Sequence, residues 1–398
     1  MNAEAGLAVM TALAVAVLLT HKVAIRSRAA APVWASFCLH ILVSFTIYNF
    51  QRLSGDALSY DEAAQGYVAF WSHHMGTPPT FALGKEGWIL ILAGIYYTAG
   101  HIPLLGLIVN AIASAMTTSL IMGSTARLGR PDMAKLAGWL CLLPPFLYWG
   151  SLLLREALAW LLTAAMLWAA LGIVTKVGRL NVAVVSSALV GMLWIRGTAA
   201  LVLTVGIAVA IVVSARRIPN VLLAGTVGVG AIGGPLLARA LSLASTGAID
   251  RVNASRTDLS RAGSGFDTIN YTDAVSLVRS LPSASARAIF GPYPWELRDL
   301  PVTAVVDLAA WLFLLVLVYR GWRRHSRMRF MCLIPALFLL MTIGATSGNY
   351  GTLVRLRVQT AVLLLPLAAV GWRRLRDDAD IMELDRPVRT PRRVNRNE

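Results

Sequence analysis

Long apolar runs alternate with short polar interruptions along almost the whole chain. Apolar stretches run from Ala5 to Thr20, Pro32 to Asn49, Gly87 to Met122, Leu136 to Gly150, Ala157 to Thr175, Asn181 to Leu193 and Ala199 to Ser214. Further ones cover Val221 to Ala244, Val302 to Tyr319, Phe330 to Ile343 and Val358 to Gly371. Many of them approach the roughly 20 residues that a bilayer core demands of a helix. The pattern predicts an all-α polytopic membrane protein with about 10–12 transmembrane helices. Residues 1–372 form the membrane domain, and 373–398, with eight arginines and six acidic residues, form a solvated basic tail. Glu4 precedes the first run and Lys22 follows it, so that run reads as a retained helix rather than a cleaved leader.

Two segments depart from the pattern. Residues 51–86 are amphipathic: Tyr60, Tyr67, Phe70 and Trp71 interleave with Asp56, Asp61 and Glu62, which predicts short helices lying at a membrane surface. Residues 245–300 are the one large polar excursion. The basic groups gather elsewhere, at Lys22 to Arg28, Arg127 to Lys135, Lys176 to Arg179, Arg216 to Arg217, Arg320 to Arg329 and after Trp372. Placing all of these in the cytoplasm puts 51–86 and 245–300 outside. It also requires an odd number of crossings between Gly87 and Met122, hence one full helix plus a short piece broken at Gly100 to Pro103.

Composition narrows the function. Apolar residue types make up 57% of the 398 residues and charged ones 14%, with a mean hydropathy of +0.65, which excludes an ordinary soluble enzyme. The formal charge of +16 would suggest nucleic acid in a soluble protein. Here the positive-inside rule and anionic headgroups account for it, and no nucleic-acid partner is expected. Cys38, Cys141 and Cys332 each lie within an apolar run without metal-ligand spacing, so neither disulfide nor zinc is expected.

Under the predicted topology, Arg155, Glu156, Arg196, Arg355 and Arg357 all fall at the outer ends of their spans, on the face that also carries Asp56, Asp61, Glu62 and Lys85. Charges at membrane depth are costly, so they should pair or line an aqueous pocket. Guanidinium groups match phosphate oxygens, which makes a lipid-linked phosphate the natural ligand. Transfer of a sugar from such a phosphate needs a base for the incoming hydroxyl and cations for the departing phosphate. Asp56 and Asp61 suit the first task, and Arg155, Arg196, Arg355, Arg357 and Lys85 the second.

The segment Gly55-Asp56-Ala57-Leu58-Ser59-Tyr60-Asp61-Glu62-Ala63-Ala64 resembles the acidic first outer loop of the GT-C superfamily of integral-membrane glycosyltransferases. Pro144-Pro145-Phe146 leading to Leu153-Leu154-Arg155-Glu156-Ala157, then Gly263-Ser264-Gly265-Phe266, extend the likeness. So do Phe290-Gly291-Pro292-Tyr293-Pro294-Trp295-Glu296 and Gly348-Asn349-Tyr350-Gly351-Thr352 followed by Arg355 and Arg357. The ensemble, over roughly residues 32 to 372, is similar to bacterial membrane proteins of exopolysaccharide assembly related to protein mannosyltransferases and aminoarabinose transferases. Gly84-Lys85-Glu86-Gly87 stands where that family often carries a His-Pro-Pro element. The resemblance implies an enzyme of the bacterial inner membrane with an extracytoplasmic active site. It would transfer a sugar from a polyprenyl-phosphate donor to a glycan or glycoconjugate acceptor, with Asp56 as base and Tyr60 lining the acceptor site.

Plainer readings stand beside these. Asp56 is also a fitting helix cap, Asp61 and Glu62 fit solvated carboxylates, and Arg155 with Glu156 fits a local ion pair. Arg196 can snorkel, and Arg355 and Arg357 can anchor a membrane edge. Trp295 and Tyr293 suit an interfacial belt as well as stacking on a sugar ring. No motif names a cofactor, and a divalent cation held by Asp61 and Glu62 with His73 or His74 stays open. Rival functions are a polysaccharide polymerase using diphosphate-linked units and a transporter or flippase for lipid-linked sugars; the Gly-rich patch at Gly225 to Gly234 fits the latter.

Overall fold

The computed structural model describes residues 3–51, 53, 55–76, 78–79, 84–214, 247–260, 265–266, 270–300, 302–322 and 329–384. The helix expected at Val221 to Ala244, the Gly225 to Gly234 patch, Gly263-Ser264, the basic pair Arg216 and Arg217 and the tail from residue 385 lie outside the described residues.

Among the described residues the secondary structure is helical, apart from one isolated bridge between Gly265 and Asn349. In chain order the helices are α1 (Ala3–Arg26), α2 (Ala30–Gln51), α3 (Asp56–His73), α4 (Glu86–Ala99), α5 (Pro103–Arg127), α6 (Ala134–Leu140) and α7 (Pro144–Gly150). They continue as α8 (Glu156–Thr175), α9 (Arg179–Ser214), α10 (Gly247–Ser260), α11 (Ala274–Phe290), α12 (Val302–Trp322), α13 (Phe330–Thr346) and α14 (Tyr350–Leu384). Seven of them, α1, α2, α5, α8, α9, α12 and α14 as far as Trp372, are long and apolar enough to cross a membrane, and α13 is a shorter apolar helix of 17 residues. This is an all-α polytopic membrane protein.

The 87–122 region resolves into the 14-residue α4 and the 25-residue α5, separated at Gly100 to Ile102. Gly100 turns the chain with φ 81° and Pro103 opens α5, where its missing N–H costs nothing. Arg196 has extended backbone (φ −155°, ψ 80°) and divides α9 into two helices. The first lies along α8, with Gly191 against Leu162, and the second along α13, with Gly206 against Pro335. Arg196 is therefore the joint between the two apolar runs read from the sequence.

Helix α14 begins at Tyr350, earlier than the apolar run at Val358. Arg355 and Arg357 thus lie inside the helix rather than ahead of it, a placement made tolerable by the buried partners described below. Close packing of α12 on α14 depends on two glycines: a Cβ at Gly321 would overlap the Leu367 carbonyl, and one at Gly371 the Leu317 carbonyl. Small residues that let backbones approach are the usual way helices associate in lipid, where no hydrophobic force drives them together.

Among the described residues, three basic connections collect at one end of the bundle. Pro32 lies against Gly138 beside Met122, and Arg127 reaches both the Trp168 carbonyl and Asn181, so the α1–α2, α5–α6 and α8–α9 connections are neighbours. The opposite end carries α3, α4 and the 151–155 segment.

Candidate functional site

The site is built on a broken span. Helix α6 ends at Leu140 and α7 at Gly150, and residues 151–155 are irregular before α8 starts at Glu156. Unpaired backbone is costly in a membrane protein unless side chains satisfy it. They do so here: Ser44 donates to the Ser151 carbonyl at 3.0 Å, and Asn110 donates to the Leu152 and Leu154 carbonyls at 2.7 and 2.9 Å. The break delivers Arg155 and Glu156 to the first turn of α8, where the helix dipole favours a carboxylate.

Glu156 is 1% exposed and stands between two guanidinium groups. Its Oε1 accepts from Arg196 Nη2 at 2.5 Å and lies 3.2 Å from Arg355 Nε. Arg196 also donates to Gln359 Oε1 at 2.9 Å, and Gln359 donates to Thr163 at 3.0 Å. Arg355 Nη1 lies 2.5 Å from Asp56 Oδ2. Arg155 donates to the Ile195 carbonyl at 3.0 Å, next to the joint in α9. Breaking a buried ion pair leaves an uncompensated charge and costs about 3–5 kcal/mol, so Glu156 and Arg196 hold the broken span, α9 and α14 in register.

Tyr60 is buried within electrostatic reach of Arg155, Glu156, Arg355 and Asp56. Burial raises its hydroxyl above the ordinary tyrosine value, while Arg155 and Arg355 pull the other way. Tyr60 therefore stays protonated and can donate a hydrogen bond. Asp56 and Arg355 line a hollow of about 220 Å³, whose walls include Tyr48 and Gln51 of α2, Leu107 of α5, and Tyr148 and Trp149 of α7.

Of the residues read from the sequence, the structure brings Asp56, Tyr60, Arg155, Glu156, Arg196 and Arg355 together. Five others lie apart. Asp61 faces α4 instead: its carboxylate accepts from Tyr96 at 2.6 Å, Gln65 at 2.9 Å and His101 at 3.0 Å. Five positions along α3 turn it well away from Asp56, and its oxygens are already engaged. Burial and the bond to Asp61 raise the Tyr96 hydroxyl above its ordinary value. Glu62 is exposed on α3, and Lys85 is exposed at the start of α4.

Arg357, two residues beyond Arg355, points to the other side of α14, because a step of two on a helix reverses the face. It donates to the Gly291 carbonyl at 2.5 Å, lies over the Trp311 ring, and shares a small cavity with Asp307. Trp295 is 71% exposed and stacks on Tyr293, beside an Arg287–Glu296 pair. His73 and His74 are exposed at the end of α3, and no group of three or more His, Cys, Asp or Glu side chains suited to a metal occurs among the described residues.

Sequence reading passed over Gln359, Asn110, His101 and Tyr96. Each is a polar group in or beside an apolar run, but none carries the permanent charge that marked the arginines. The sequence matches no protein-family model, and no curated protein is similar to it.

Proposed function

We propose that this chain is a membrane glycosyltransferase of GT-C type, which transfers a sugar from a polyprenyl-phosphate donor to an acceptor during cell-envelope glycan or exopolysaccharide assembly. The observation that carries the reading is the meeting of Asp56 with Arg355, backed by Glu156, Arg196 and Arg155, at the edge of a hollow large enough for part of a sugar phosphate. The basic loops lie at the other end, which by the positive-inside rule is cytoplasmic, so the hollow would open to the extracytoplasmic side of a bacterial inner membrane. Helices α3 and α4 at that end fit the short surface helices of such enzymes.

In this reading the acceptor hydroxyl attacks the anomeric carbon of the donor. Its proton passes to the Asp56 carboxylate, the new carbon–oxygen bond forms, and the bond to the phosphate oxygen breaks with its electron pair. Negative charge grows on the departing polyprenyl phosphate, where the guanidinium of Arg355, with the charges of Arg155 and Arg196 behind it, neutralises it.

A second reading has one observation in its favour: two spans facing the cluster, α6–α7 and α9, are interrupted, as are spans at the substrate sites of transporters. Purified protein in nanodiscs, given polyprenyl-phosphate sugars and candidate acceptors, separates the two. Glycosylated product supports the transferase. Lipid moved across a liposome membrane without product supports the transporter.

A further inference from the structure

Arg355 contacts two carboxylates of opposite character. Glu156 is buried, belongs to the first turn of a spanning helix, and is also held by Arg196. Asp56 has a side chain 55% exposed and opens α3 just after Gly55, whose φ of 53° lies in the region that favours glycine. The α3 start has no side-chain cap hydrogen bond, and the space around Gly55 is open. Of the two partners, only Asp56 can swing away without stranding a buried charge.

The three arginines are not equally available to a ligand. Arg196 is buried, with one terminal nitrogen on Glu156 and the other on Gln359. Arg155 does not line the hollow and spends Nη1 on the Ile195 carbonyl. Arg355 does line it, and its Nη1 is the nitrogen bonded to Asp56.

Resting on the glycosyltransferase reading, we infer that Asp56 occupies the place on Arg355 that a lipid-carried phosphate takes, so the donor headgroup and the base carboxylate compete for one guanidinium. With Asp56 in place, three guanidinium groups face two carboxylates and one positive charge is left over. With Asp56 displaced, or protonated after accepting the acceptor's proton, two are left over. That surplus matches the phosphate monoester dianion that leaves better than the singly charged diester that arrives, so the arrangement favours the charge developed during transfer. It also sets an order: Asp56 is freed as a base only once the donor phosphate is seated.

The test uses full-length protein in phosphatidylcholine nanodiscs, titrated with polyprenyl phosphate and, separately, with inorganic phosphate and phosphatidylglycerol. Asp56→Asn is expected to bind polyprenyl phosphate about tenfold more tightly than wild type while losing turnover, since it removes the competing anion. Inorganic phosphate should show a similar gain from a weaker starting affinity, and phosphatidylglycerol none. Asp56→Ser provides a second variant at this exposed position, and Arg355→Lys should weaken binding and abolish the gain from Asp56→Asn. Unchanged or weaker binding by both Asp56 variants in a protein whose wild type turns over donor would overturn the competition and leave the transferase standing. A gain that persists in Arg355→Lys, or one equally large for phosphatidylglycerol, would overturn it as well. Wild type that neither binds nor turns over the donor would remove the functional reading itself.

Discussion

Arg355 and Asp56, 299 positions apart in the chain, meet with Nη1 and Oδ2 2.5 Å apart at the rim of the hollow. The contact joins a spanning helix to the first turn of α3, and thereby joins a buried charge network to a half-exposed carboxylate.

Asp56→Asn keeps the shape of the side chain and removes its basicity. Turnover should fall by roughly two to four orders of magnitude, the usual worth of general base catalysis, with thermal stability little changed because the residue is half exposed. Initial rates and a melting curve in detergent check both halves; equal rates would leave Asp56 with only a structural role.

Glu156→Gln should destabilise the protein by about 3–5 kcal/mol, because it leaves the buried Arg196 without a counter-charge. Arg196→Met alone should cost about as much, while the pair of changes together should cost less than the two added. Strict additivity in a double-mutant cycle would show that the pair is not coupled.

How far the sequence reached is clear from these same residues. Charges within apolar runs marked Arg155, Glu156, Arg196, Arg355 and Arg357 as a group, because hydrocarbon tolerates such residues only in company, and all but Arg357 meet. Facing directions were not legible: Arg357 sits two residues from Arg355 and Asp61 five from Asp56, and which of each pair turns to the hollow depends on where α14 and α3 begin. The supporting amides were overlooked for another reason. Asn110 and Gln359 carry no charge, and their importance appears only when the irregular 151–155 backbone and the guanidinium of Arg196 are seen to need partners.

Asn110→Leu strips the donors from the Leu152 and Leu154 carbonyls. A loss of roughly 1–3 kcal/mol is expected for leaving buried acceptors unsatisfied. Turnover should fall as well, since Arg155 and Glu156 follow directly on the freed segment. Melting temperature and rate, measured on one preparation, should drop together; a drop in stability alone would separate the break from the site.

Glu296 gives a pH signature. Burial works against its ionisation, but hydrogen bonds from Tyr350, the Tyr293 amide and Arg287 outweigh that and hold the carboxyl below the ordinary glutamate range. A folded-state value below the unfolded one means that the stabilisation is present above about pH 4.3 and fades as the pH falls through the folded value. The melting-temperature difference between wild type and Glu296→Gln should therefore be constant from neutral pH down to about 5 and close at lower pH. A difference that widened on acidification would contradict the assignment.

Topology is tested by labelling. In a variant lacking Cys38, Cys141 and Cys332, a cysteine in place of exposed Met75 and one in place of exposed Val177 should react from opposite sides of the membrane, Met75→Cys from the extracytoplasmic one. Labelling of both from one side would place the basic loops and the hollow together.

The most direct measurement is a cryo-electron microscopy map of the protein in nanodiscs with a polyprenyl-phosphate sugar bound. The account predicts phosphate density on Arg355 within the hollow, with the Asp56 carboxylate turned from the guanidinium toward the anomeric carbon. Phosphate density elsewhere, with Arg355 still closed on Asp56, would contradict it.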